Sequence, residues 1–193
     1  KVDFSYNKKD KTLTIKWDDG KEVKLEDMGD NWEVYLTDTS KNGFVVVSIN
    51  KSKDEKGRTI SATLKYYNAR TDEKSTIEFV YEKESDKNEG TLTITWEDGE
   101  ENKEMKLEDI GEDWEIIIVD ADKGSFAIVS TLKSDEEGET VTKIVLVEKA
   151  EKGEGEGKTS AGKSEKEYVT TTTIIHAKKD KDKSDIVMKV ELD

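Results

Sequence analysis

Apolar residues recur at every second position in short runs along this chain. Leu13, Ile15 and Trp17 alternate with Thr and Lys, and Leu92, Ile94 and Trp96 alternate with Thr. A period of two puts those side chains on one face of a strand and leaves the other face wet. Runs of this kind between turn residues predict strands over 2–7, 12–17, 21–26, 32–38, 43–50, 58–68, 75–83, 91–96, 103–108, 114–120, 125–132, 139–149, 166–177 and 185–192. No segment carries the longer period of an amphipathic helix. Asp19-Gly20 and Asp98-Gly99 predict hairpin turns of the positive-φ kind, and Gly43, Gly57 and Gly138 mark other strand starts. Phe44–Val47, Ile116–Val119, Ala127–Val129 and Ile144–Val147 are apolar at every position. Such strands belong in sheet centres, at a dimer surface, or where two layers meet.

The strand pattern is written twice. Thr12–Gly20 recurs as Thr91–Gly99, Lys24–Val34 as Lys106–Ile116, Phe44–Ser48 as Phe126–Ser130, and Gly57–Ile60 as Gly138–Val141. Trp17 and Trp96 lie 79 residues apart, and Trp32 and Trp114 lie 82 apart, so one unit has been copied with small insertions. Val2–Tyr6 also matches Ile77–Tyr81, which extends the first copy to its N-terminal strand. The expectation is an all-β chain of about fourteen antiparallel strands in two copies of ~80 residues, as immunoglobulin-sized β-sandwiches or a barrel. The implied domains are 1–83 and 91–193 with a short charged linker at 84–90; a single continuous β-domain is the other arrangement. The second copy adds a Gly/Ser/Lys insertion over 150–165, where the first needs only 68–74. A loop of that composition is a binding loop or unstructured chain.

Composition narrows the partners. Apolar residues make up 32% and charged residues 40%, near the disordered range, but here the apolar positions are organised. With 46 acidic against 32 basic residues the net charge is −14. A polyanion repels phosphate, which argues against nucleic acid and anionic membrane surfaces. No apolar stretch approaches the ~20 residues of a membrane helix. Strands such as Lys21–Leu25 are too short and too charged for a membrane barrel, so no membrane insertion is expected. Zero Cys excludes disulfides, thiolate metal sites and thiol catalysis. Zero Pro is more unusual, because ~5% average usage would give about nine or ten. Lys/Glu/Asp-rich solvent faces and Asp-Gly turns are what idealised design favours.

Candidate chemistry is sparse. Gly157–Ser164 satisfies the spacing of a phosphate-binding loop, with Lys158, Thr159, Ser160, Lys163 and Ser164 as its binding residues. That chemistry needs a helix after the loop, and Glu165–Ile175 is a β-branched run. Asp180, Asp182, Ser184 and Glu191 hold four positions of a calcium loop, but Asp185 stands where Gly is required. A solvated turn accounts for them better, and the Asp120/Asp122 turn is weaker still. His176 is the one histidine, expected as an edge or partly buried ring. Carboxylate pairs are guaranteed by 46 acids, and nothing singles one out. Trp17, Trp32, Trp96 and Trp114 fall at matched positions and read as core packing, or else as an aromatic platform for sugar or peptide.

No catalytic residues, metal site or cofactor are expected. The reading is a non-enzymatic β-scaffold, designed or engineered, with a structural or presentational role. The alternative is a secreted or surface bacterial β-protein that binds a protein, a glycan or a small apolar ligand. Homo-oligomerisation through strand or sheet contacts fits either reading.

Overall fold

The computed structural model describes residues 1–38, 43–84, 89–98, 101–134, 136–150, 168–179 and 186–192. Fourteen strands follow one another: β1 (Val2–Asn7), β2 (Thr12–Trp17), β3 (Glu22–Leu25), β4 (Trp32–Asp38), β5 (Gly43–Lys53), β6 (Thr59–Asn68) and β7 (Glu73–Lys83). They continue as β8 (Glu89–Asp98), β9 (Glu101–Gly111), β10 (Trp114–Asp120), β11 (Ser125–Leu132), β12 (Glu139–Lys149), β13 (Tyr168–Lys179) and β14 (Ile186–Leu192). The described residues contain no helix. Within each sheet the strands pair in sequence order, giving sheets β1–β3, β4–β9 and β10–β14. Among the described residues no sheet closes into a barrel, so of the two expected architectures the three open antiparallel sheets agree with the layered, sandwich-like one.

Pairing breaks at two places, between β3 and β4 and between β9 and β10. The strand period is therefore six. β7 stands before β8 and β9 as β1 stands before β2 and β3, in agreement with the match of Val2–Tyr6 to Ile77–Tyr81. The chain divides into two compact units, Lys1–Tyr81 with Leu92–Lys106, and Glu82–Thr91 with Leu107–Asp193.

In the first unit the β1–β3 sheet buries its apolar face on the start of the β4–β9 sheet. Leu13, Ile15, Val23, Leu25 and Met28 from the first layer meet Phe44, Val46 and Tyr67 from the second. Leu13 and Ile15 lose all exposure, as alternation requires of strand residues on a core face. The register sets the faces: Trp32 pairs with Ser48, Val34 with Val46 and Leu36 with Phe44.

The breaks are made by one backbone device used twice. Asp27 and Asp109, at matched positions, both adopt φ 53°. Asp tolerates this left-handed region better than most residues. The buried Met28 or Ile110 follows, and then Gly29 or Gly111. Each glycine is needed for closeness: a Cβ on Gly29 would overlap the Asn50 side chain, and one on Gly111 would overlap the Thr131 backbone carbonyl. The strand after the break carries a register shift in both copies, between Leu36 and Asp38 and between Ile118 and Asp120. The hairpin glycines Gly57 and Gly138 both take φ 79°, and Gly20 takes φ 90°.

Candidate functional site

Three places in the described residues bring polar or aromatic groups together. The first is a groove of about 370 Å³ in the first unit, beside the outer edge of β3. Met28 and Val46 line its apolar part, and Lys24, Lys65 and Lys74 its polar part. All three of these cations are engaged, Lys24 Nζ with Glu22 Oε1 at 3.6 Å. Lys65 Nζ donates to the Glu26 carbonyl at 3.1 Å and lies 3.7 Å from Asp27 Oδ2. Lys74 Nζ donates to the Lys24 carbonyl at 3.3 Å. Outward carbonyls of an edge strand are acceptors that a foreign strand could take, and here lysines reach across to occupy them. In the second unit Lys143 Nζ donates to the Glu108 carbonyl at 2.8 Å, at the matched position. A contact made in both copies at a structural corner caps the sheet edge.

The second place lies at the start of β12, where the last part of β13 runs alongside. Register sets Glu139 opposite Lys178 and Val141 opposite His176. Glu139 accepts from the Ser134 hydroxyl through one oxygen and stands 3.2 Å from His176 Nδ1 through the other. The carboxylate is 15% exposed and the imidazole 32%. The Ser134 hydroxyl, and after it His176 and Lys178, hold the Glu139 carboxyl below its ordinary value against the opposing effect of burial. Lys178 Nζ is 2.6 Å from Glu136 Oε2. Hydroxyl, imidazole and carboxylate suggest a hydrolytic triad, but the order is wrong for one. Activation of a serine needs the imidazole between hydroxyl and carboxylate, so that it can take the proton. Here the carboxylate is in the middle and ties two groups down. His176 sits within β13, between β12 and β14, and not at a sheet edge.

The third place is aromatic. Phe4 stacks on Trp32 with ring centroids 6.2 Å apart and meets Phe44 edge-on at 5.4 Å. Tyr6 reaches Trp32 at 6.3 Å, and Trp17 stacks on Phe44 at 6.0 Å. Lys21 Nζ stands 5.0 Å over the Trp17 ring and also contacts Asp72 at 3.3 Å. The buried Tyr67 hydroxyl donates to the same Asp72 oxygen at 2.9 Å, which with Lys21 holds that carboxyl below its usual range. Trp17 and Trp32 are half-buried in this cluster, whereas Trp96 and Trp114 are 2% and 1% exposed.

The remaining expected sites lie elsewhere. Lys158, Thr159, Ser160, Lys163 and Ser164 lie outside the described residues, as do Asp180, Asp182, Ser184 and Asp185. Among the described residues no group of three or more acidic or His side chains is placed to hold a metal ion. No described helix is long and apolar enough to cross a membrane. The Lys65 clamp, the Ser134–Glu139 contact and the exposed Phe4 left no signature in sequence, because each depends on which strands become neighbours. The chain matches no family model, no curated protein and no solved structure.

Proposed function

We propose that this chain is a non-enzymatic β-scaffold whose role is structural or presentational. The observation that carries the reading is what the two diverged copies keep. Both retain the left-handed Asp27 or Asp109, the close-approach Gly29 or Gly111, the lysine clamp, and the register shift in the following strand. All of these are devices of folding and edge protection. The cluster nearest to a reacting site, Ser134–Glu139–His176, occurs in one copy and has its groups in an order that restrains the hydroxyl. The absence of Pro and Cys, with matched local and global signals, supports a designed or engineered origin.

The test is turnover by the full chain on chromogenic esters, glycosides and phosphate esters. The scaffold reading expects rates equal to buffer for the parent and for Glu139→Gln. Saturable turnover that Glu139→Gln or His176→Ala abolishes would overturn it.

A further inference from the structure

β1 and β7 hold the same place in the repeat, but their surroundings differ. β7 lies between β6 and β8, whereas β1 has β2 on one side and no described strand on the other. Phe79 on β7 is fully buried, and Phe4, its counterpart on β1, is 37% exposed. The uncovered surface continues onto β4, where Val34 is 36% and Leu36 76% exposed on the face that carries Trp32. Ile116, at the position matching Val34, is 7% exposed. Phe44 links the two parts, since it touches the Phe4 ring and pairs with Leu36.

A strand edge without a partner, next to an uncovered apolar face, is the arrangement that strand addition uses. Main-chain hydrogen bonds supply affinity, and alternate side chains supply selectivity. The chain itself shows which segment fits. At the β6–β7 junction Ala62 stands opposite Phe79, Thr63 opposite Glu78 and Leu64 opposite Ile77. The same register on β1 sets a small residue opposite Phe4, a threonine opposite Asp3 and an aliphatic residue opposite Val2. Charge points the same way: the chain carries −14, and Lys65 is the one charged residue of β6.

We propose that the outer edge of β1, with Phe4, Val34 and Leu36, is a docking site for an extended, weakly basic protein segment of the β6 pattern. The segment adds antiparallel, as a fourth strand of the β1–β3 sheet. This goes beyond the scaffold reading and stands apart from its outcome.

The experiment uses a labelled synthetic peptide with the sequence of Thr59–Asn68, titrated into the full chain and followed by fluorescence anisotropy. The expected result is saturable binding that Leu36→Lys weakens by about tenfold or more. Leu36 is exposed enough for that variant to fold, which far-ultraviolet circular dichroism checks. A peptide N-methylated at alternate residues on its hydrogen-bonding edge is expected not to bind. Three results would overturn the proposal: no saturation, equal affinity for parent and Leu36→Lys, or sedimentation showing the β1 edge covered by a second copy.

Discussion

The backbone N–H of Gly29 donates to the Ser48 hydroxyl oxygen at 2.9 Å, with both residues buried. This bond closes the break between β3 and β4 onto β5. Ser130 holds the matched place, opposite Trp114 as Ser48 is opposite Trp32. Its buried hydroxyl has no hydrogen-bond partner among the described residues. Ser48→Ala therefore strands a buried donor and is expected to cost about 1–3 kcal/mol. Ser130→Ala removes an unsatisfied group and is expected to be neutral or stabilising. Urea midpoints of the two variants compare them directly, and equal losses would contradict the asymmetry.

Gly29 and Gly111 give a second contrast. An added methyl group at Gly29 meets the end of a side chain, Asn50, which can rotate away. At Gly111 it meets the backbone of Thr131, which cannot move without shifting β11. Overpacking of this kind costs about 1–3 kcal/mol, occasionally more. Gly111→Ala is expected at or above the top of that range and Gly29→Ala below it. Adding Asn50→Ala to Gly29→Ala is expected to restore most of the loss in thermal melts, and no effect on Gly111→Ala is expected from it.

Acid sensitivity follows from Asp54, which organises the turn before Gly57. The Arg58 side chain bonds it at 2.7 and 2.8 Å, and the backbone N–H groups of Lys56 and Arg58 donate to it at 2.9 Å each. Arg58, first through its side chain and then through its backbone, holds the carboxyl below its ordinary 3.8. A depressed folded value means the stabilisation is present above 3.8 and is lost as pH falls through the folded value. Asp54→Asn is expected to lower the urea midpoint at neutral pH, with parent and variant converging in acid. A gap that stays constant with pH would contradict this origin.

The tryptophans fall into two classes by exposure. Acrylamide is expected to quench Trp17 and Trp32, which are half-buried, and to spare Trp96 and Trp114, at 2% and 1% exposed. Variants with three of the four changed to Phe read each indole alone. Equal quenching of all four would place the second copy's aromatics in solvent.

Much of this fold is legible in the chain. The pattern of apolar runs between turn residues sets the limits of β10, β11 and β12 at 114–120, 125–132 and 139–149, where the structure has them. It fails where charge hides the pattern: 103–108 is the expected strand, whereas β9 runs Glu101–Gly111. The left-handed residue at each break is also hidden. Turn chemistry would give positive φ to Gly29, but the structure gives it to Asp27 and uses the glycine for close approach. The six-strand period is concealed for a related reason. Val2–Tyr6 and Ile77–Tyr81 match in sequence, but only pairing shows that β7 also belongs to the sheet that begins with β4. Of the candidate sites, the aromatic positions are visible as a repeated motif. The lysine clamp is not, since Lys65 and Glu26 are far apart in the chain and meet only across two layers.

One set of packing devices holds both diverged copies, and residue-resolved amide hydrogen exchange reads this in each copy separately. The slowest amides are expected in matched pairs: Leu13 with Leu92, Ile15 with Ile94, and Val46 with Ile128, all fully buried. Protection confined to one copy, or fast exchange throughout both, would contradict it.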